Sequence, residues 1–123
     1  MPKTRPPREE SDRYAEVFRN VIHAFDISED KAALFISVNP RTLYRKLSRA
    51  STFNHLEIDR IKMLQEVVQE GKEVFGNTDD FQQWLDFKAP ALGYKKPLEL
   101  LNHSKGISQV LDLLAAIKYG LPS

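Results

Sequence analysis

The sequence predicts an all-helical fold. Apolar residues recur at every third or fourth position along most of the chain, and no stretch shows the strict apolar–polar alternation of a β-strand. Asparagine, serine and proline stand at positions typical of helix starts, and glycine stands where helices are expected to end. The 123 residues are enough for one compact unit or for two small modules that share a core.

Residues 1–12 are rich in proline and arginine and almost free of apolar side chains, which predicts a flexible arm. The helix that follows carries one apolar stripe at helical spacing, with mostly polar residues between its members. The stripe consists of Tyr14, Val17, Phe18, Val21, Ile22 and Phe25.

The segment 28–49 predicts two short helices separated by a tight break. Ser28 can cap the first helix, which turns Ala32, Ala33, Phe35 and Ile36 inward. Asn39 and Pro40 are a cap and a first helical residue, so a second helix is predicted over 40–49. This helix is basic and amphipathic, and it buries Leu43 and Leu47.

A long helix is predicted from the capping box of Asn54 and Glu57 to about Phe75. Its apolar surface is wide, which implies contact on two sides, either between modules or with another subunit. The candidates for a dimer contact are Leu56, Met63 and Val67.

The C-terminal third predicts three short helical elements. Asn77 and Thr78 begin the first, and Asp79 and Asp80 are interpreted as first-turn residues rather than metal ligands. Pro97 starts a one-turn helix. The last helix is capped by Ser104 and stopped by Gly120, and its stripe is Ile107, Val110, Leu111, Leu114 and Ile117.

The composition argues against catalysis and against several other classes of protein. The chain has no cysteine, which excludes disulfides and thiolate sites, and its three histidines are not spaced as zinc ligands. No membrane-length apolar run or signal peptide is recognisable, so a cytoplasmic protein is expected. No phosphate loop or nucleophile motif occurs. We therefore expect neither an enzyme nor a bound cofactor or metal.

The charge distribution points to a polyanion. The first 50 residues hold ten basic and seven acidic side chains, although the whole chain has a net charge of only +1. A helix, a break and a basic helix are the elements of a helix-turn-helix motif, although an ordinary helical hairpin with exposed arginines fits the same pattern. Four cations on phosphate would give a log–log salt slope of about −3.5 per subunit. The expected DNA contacts are Asn39, Arg41, Thr42, Tyr44, Arg45, Lys46 and Arg49.

The C-terminal sequence resembles the toxin-binding domain of the bacterial Xre/MbcA/ParS antitoxins. Ser37 and Tyr94 stand where that family often has glycine, and the upstream sequence RTLYRKL resembles the family's Xre-type helix-turn-helix segment. The matching C-terminal residues are EVFG at 73–76, Trp84 and Leu85, PALG at 90–93, Pro97, Leu98, Leu100, Leu101, Gly106, Val110, Leu114, Ile117 and Gly120.

The resemblance implies a type II antitoxin that blocks the active site of a RES-domain, NAD-consuming toxin with its C-terminal residues. It also implies a helix-turn-helix module at 13–72, a toxin-binding domain at 73–123, a homodimer within a larger toxin–antitoxin complex, and binding to operator DNA. Two alternatives stay open: a transcriptional regulator without a toxin partner, and an interaction module that no longer binds DNA. The residues expected to contact the toxin are Lys118, Tyr119, Gly120, Leu121, Pro122 and Ser123.

Overall fold

The computed structural model describes residues 5–120, and it confirms the all-helical prediction. These residues contain a single isolated antiparallel bridge, between Ala89 and Lys95, and no strand. One-turn 3₁₀ helices lie at Pro90–Leu92 and Pro97–Leu100. The α-helices are α1 (Arg8–Phe25), α2 (Glu29–Phe35), α3 (Pro40–Leu47), α4 (His55–Phe75), α5 (Thr78–Leu85) and α6 (Ser104–Lys118).

Local side-chain caps start α2, α3 and α4 as the sequence predicts. The Ser28 hydroxyl accepts a hydrogen bond from the Lys31 amide at 3.1 Å. The Asn39 side chain accepts from the Thr42 amide at 2.8 Å. Asn54 and Glu57 complete the predicted capping box at the start of α4. Each cap satisfies an amide that has no partner within its own helix, so each helix start is set by nearby sequence.

Helix α4 is the centre of the fold, as its wide apolar surface predicts. It packs against α1 on one side and α6 on the other, and one hydrophobic core runs through all six α-helices. Gly71 allows α5 to approach closely, since a Cβ atom there would lie 2.1 Å from Cε1 of Phe81. The largest fully buried side chains are Phe18, Phe35, Phe53, Phe81, Leu43, Ile58, Ile61, Leu64, Leu85, Leu101, Ile107 and Leu114.

The predicted arm at 1–12 is partly wrong, because residues 8–12 belong to α1. The reason is a polar contact distant in sequence: the buried Ser11 hydroxyl accepts a hydrogen bond from the Phe53 amide at 2.8 Å. Pro7 stands at the N-cap, where the missing amide hydrogen costs nothing. Residues 1–4 of the predicted arm lie outside the described residues.

Three further expectations change. Val67 is 0% exposed and belongs to the core, so it is not a dimer-contact candidate. Ser104 is the first residue of α6 rather than its cap, and its hydroxyl accepts a hydrogen bond from Arg60. Ile117, the last member of the predicted α6 stripe, is 38% exposed rather than buried.

Helix α4 also crosses the predicted module boundary at 72/73 without interruption. No helix within residues 5–120 combines the length and the apolar character that crossing a membrane requires.

Candidate functional site

The exposed side of α3 brings together most of the residues predicted to contact DNA. Arg41, Arg45 and Arg49 are exposed, and the Tyr44 side chain is 65% exposed. Thr42 is half-buried, and its amide hydrogen is used by the Asn39 cap. We call the exposed face formed by Arg41, Tyr44, Arg45 and Arg49 the basic surface.

Lys46 does not belong to the basic surface, which corrects its predicted role as a phosphate contact. It is 8% exposed, and its ammonium group forms an ion pair with the carboxylate of Glu57. The ammonium also lies 5.8 Å from the centre of the Phe53 ring. A buried, paired cation is not available to DNA, so Lys46 instead holds α3 against the start of α4.

The C-terminal end of α3 is held by a residue that the sequence analysis did not single out. The guanidinium of Arg19, on α1, donates to the backbone carbonyl of Leu47 at 2.6 Å. A cation at this end satisfies a carbonyl that lacks a helical partner and complements the helix dipole. The two residues are 28 positions apart, so local patterning carries no signal for this contact.

Two αL residues flank α3. Ser37 has φ of 60° in the connection from α2, and Arg49 has φ of 68° after the helix ends. Glycine adopts left-handed backbone without a steric cost, so a positive φ at Ser37 fits a position where glycine is common. The connection therefore turns as the resemblance implies, although the residue there is serine.

The second candidate surface is the end of α6. The Lys118 ammonium lies 2.8 Å from Glu73 and 3.8 Å from Glu70, both on α4. The hydrogen bond to Glu73 raises the pKa of Lys118, despite opposing desolvation. Tyr119 is 69% exposed, and Gly120 adopts φ of 67°. We call Ile117, Tyr119 and Gly120 the C-terminal surface.

The Lys118 ammonium thus lies beside both α4 and the Tyr119 ring, whose centre is 5.6 Å away, and its toxin contact stays a prediction. The remaining predicted toxin contacts, Leu121, Pro122 and Ser123, lie outside the described residues. Beside α6, an open groove of about 540 Å³ is lined in part by Leu92, Leu100 and Leu113.

Arg60 connects the parts of the fold that carry the two surfaces. Its guanidinium donates to the carbonyl of Phe35 at the end of α2 at 3.0 Å, and to that of Asn102 before α6 at 3.1 Å. It also donates to the Ser104 hydroxyl at 3.1 Å. The end of α2 and the start of α6 are therefore attached to α4 by the same side chain.

Within residues 5–120, no group of three or more histidine, cysteine, aspartate or glutamate side chains is placed to hold a metal ion. Asp79 and Asp80 lie in the first turn of α5, and the Asp80 amide donates to the Asn77 side chain at 2.8 Å. This agrees with their interpretation as residues of a helix start.

Comparison with known proteins supports the resemblance read from the motifs. Residues 70–120 match the family described as the antitoxin Xre/MbcA/ParS C-terminal toxin-binding domain. The fold is similar to a chain in the crystal structure of the M. tuberculosis MbcT–MbcA toxin–antitoxin complex. That match has a TM-score of 0.69 and 20% sequence identity, and covers 89% of this chain and 96% of the other. No curated protein sequence matches the chain.

Proposed function

Because its C-terminal domain resembles that of the Xre/MbcA/ParS antitoxins and its fold is similar to a chain of a toxin–antitoxin complex, we propose that this protein is an antitoxin. In this proposal it binds a RES-type, NAD-consuming toxin and blocks its active site. It also binds the operator of its own operon and represses transcription. The match of residues 70–120 to a toxin-binding domain carries the proposal.

The geometry of the C-terminal surface supports a blocking role. The ion pairs of Lys118 with Glu70 and Glu73 attach the last turn of α6 to α4. Tyr119 follows directly and is exposed, so an aromatic side chain is presented from a supported position. Little entropy is lost when such a preorganised group enters a cleft. Residues 119–123 are the proposed occluding segment.

The basic surface supports DNA binding. The exposed Arg41 and Arg45 lie on α3 after a short connection from α2, as in a helix whose side chains reach the major groove. With Lys46 withdrawn, three cations remain on this surface, and the expected salt slope falls to about −2.7 per subunit.

Specific operator binding calls for two copies of α3, since one short helix offers a small interface. A homodimer is therefore part of the proposal. Leu56 is 80% exposed and Met63 is half-buried nearby on α4, so these two residues remain the candidates for the contact.

The exposed tyrosines Tyr119 and Tyr44 provide a matched test of the toxin-binding role. The chain is co-expressed and co-purified with a RES-domain toxin, and the loss of NAD is followed. Tyr119→Ala or deletion of 119–123 should restore NAD consumption, whereas Tyr44→Ala should leave inhibition intact. Full inhibition by the shortened chain would show that residues 119–123 do not occlude the active site. If the unaltered chain does not bind the toxin, the antitoxin function is overturned.

The DNA-binding role is tested with a gel shift on the promoter fragment of the operon. Arg41→Ala and Arg45→Ala should each weaken binding by about 5- to 150-fold, since a good base contact contributes about 1–3 kcal/mol. Lys88→Ala removes an exposed cation outside the basic surface and is the control. Unchanged binding by both arginine variants would show that α3 is not the recognition helix.

The alternative function is a helix-turn-helix transcriptional regulator without a toxin partner. The observation that favours it is the exposed basic surface, which requires no toxin. Operator binding without capture of any RES-domain protein would support this alternative. An interaction module that no longer binds DNA would capture a partner protein but would not bind the operator.

A further inference from the structure

Residues 5–8 lie against the loop that follows α3. The Arg5 guanidinium donates to the Thr52 hydroxyl at 3.2 Å, and the Arg8 guanidinium donates to the Arg49 carbonyl at 2.8 Å. Pro6, between them, is buried. These contacts join positions more than 40 residues apart, and they place two N-terminal arginines at the end of the proposed recognition helix.

The placement is supported by a buried polar contact as well as by the exposed ones. The hydroxyl of Ser11, one turn after Arg8, accepts a hydrogen bond from the Phe53 amide, and both residues are buried. The first turn of α1 is thus fixed on the segment that connects α3 to α4. This attachment therefore sets the direction in which residues 5–8 approach Arg49.

The contacts use only a small part of the hydrogen-bonding capacity of the two arginines. A guanidinium has five N–H donors, and one donor atom of each has a protein acceptor here. Arg5, Arg8 and Arg49 are all exposed. Asp12, one turn after Arg8, is an acidic residue on the same side of α1, so the cluster keeps an excess of positive charge. Several guanidinium groups on one exposed surface suit phosphate oxygens.

We propose that Arg5 and Arg8 extend the basic surface and bind the DNA backbone beyond the bases that face α3. The inference rests on the proposed operator binding and adds a phosphate-contacting element outside α3. Its role is in affinity and register rather than in reading sequence, because phosphate contacts carry no base identity.

The salt dependence of operator binding tests the proposal. Five phosphate-neutralising cations per subunit give a log–log slope of about −4.5, against about −2.7 for the three cations of the basic surface alone. Raising salt from about 50 to 200 mM should therefore weaken binding per subunit by about 500-fold in the unaltered chain and by about 40-fold in Arg5→Gln/Arg8→Gln. The preference for the operator over an unrelated fragment should be the same in both.

Arg13→Gln is the matched control, because Arg13 is an exposed arginine on another face of α1. It should leave the slope unchanged, and Arg8→Lys, which keeps the charge, should keep most of it. Arg5→Gln alone changes an exposed contact and should reduce the slope by about 0.9 without unfolding the protein.

An unaltered chain with a slope near −2.7, or a double variant with an unchanged slope, would overturn this proposal and leave operator binding by α3 standing. If the unaltered chain does not bind the operator at all, the proposed DNA-binding function fails together with it. The two failures are therefore distinguishable in one titration series.

Discussion

Ser37 adopts left-handed backbone geometry without being a glycine. Its φ of 60° brings Cβ close to the following carbonyl, which costs about 1–2 kcal/mol in an L-residue. The Ser37 amide still donates to the Leu34 carbonyl at 3.3 Å, so the turn forms despite this cost. Tyr94, with φ of 63°, has the same backbone strain in the loop after Pro90–Leu92.

Ser37→Gly should stabilise the protein by about 0.5–1 kcal/mol, because relief of the left-handed strain exceeds the greater chain entropy of unfolded glycine. Chemical denaturation measures the change. Ser48→Gly is the control, since Ser48 has φ of −82° and its hydroxyl donates to the Arg45 carbonyl. It should destabilise, and a gain at Ser48 equal to that at Ser37 would contradict the argument.

Lys46 and Glu57 form a buried ion pair between α3 and α4. Lys46→Ala should destabilise the protein by about 3 kcal/mol, because it leaves the Glu57 carboxylate buried without its cation. Lys46→Met with Glu57→Gln should recover part of the loss. Urea unfolding of these two variants and of the unaltered chain provides the measurement.

Lys96→Ala is the comparison for this pair, because the Lys96–Asp86 ion pair is largely exposed, with a distance of 2.8 Å. Its effect on stability should be close to the error of the measurement. A Lys46→Ala effect as small as that of Lys96→Ala would mean that the buried pair adds no stability.

At the scale of elements, the end of α6 depends on Lys118. The hydrogen bond to Glu73 raises the pKa of Lys118 above its ordinary value, so the ammonium is charged at neutral pH. For a raised pKa, the stabilisation is present below the unfolded value and is lost as pH rises through the folded value. Loss of the Lys118 charge is therefore expected to weaken the attachment of the last turn to α4 in strongly alkaline solution.

Lys118→Gln should produce this loosening at neutral pH. Hydrogen exchange of the amides at 115–120 should become faster, while exchange at 107–111 should not change, because that part of α6 is held by buried apolar side chains. Lys105→Gln, an exposed lysine in the first turn of α6, is the control. Unaltered exchange at 115–120 would show that the ion pairs do not hold the last turn.

The elements themselves were predictable where their causes are local. Ser28, Asn39 and Asn54 each cap a helix through an amide three residues later, and such a cause is visible in sequence. The spacing of the apolar residues likewise predicted which face of each helix is buried, because helical periodicity is also a local property of the sequence. The candidate residues on α3 followed from charge and helical spacing, and most of them are exposed as expected.

What sequence could not predict depends on contacts between distant residues. Lys46 carries the same charge as the exposed arginines, and its ion pair with Glu57 on α4 depends on a packing that the charge pattern does not reveal. Ser11 and Arg8 make α1 longer than predicted through bonds to residues 41 and 42 positions away. Helical periodicity contains no information on such partners.

At the scale of the whole molecule, the core is continuous across both predicted modules. Helix α4 packs on α1 and α6, and the ring of Phe81 from α5 lies 6.2 Å from that of Phe25 on α1. Because α4 packs against both the N-terminal and the C-terminal helices, the stabilities of the two predicted modules are coupled. Unfolding is therefore expected to be a single cooperative transition.

Gly71→Ala tests this coupling, because its Cβ would lie 2.1 Å from the Phe81 ring. Overpacking of this kind is expected to cost about 1–3 kcal/mol. Trp84 fluorescence, which reports on α5, and far-ultraviolet circular dichroism, which reports on all helices, should shift to the same lower midpoint.

Separate midpoints for the two signals would show that the halves unfold independently. Gln69→Ala, at an exposed position on the same helix, should leave both midpoints near those of the unaltered chain.

The uninterrupted course of α4 also has a consequence for protein engineering. Consider a hybrid that joins the first half of this protein to the second half of a similar one at 72/73. Its α4 would be composed of segments from two different proteins. The two segments of this α4 would then have side chains that pack against the helices of different proteins. Exchange of the proposed DNA specificity is better attempted by grafting the residues of the basic surface alone and keeping the recipient's own α4.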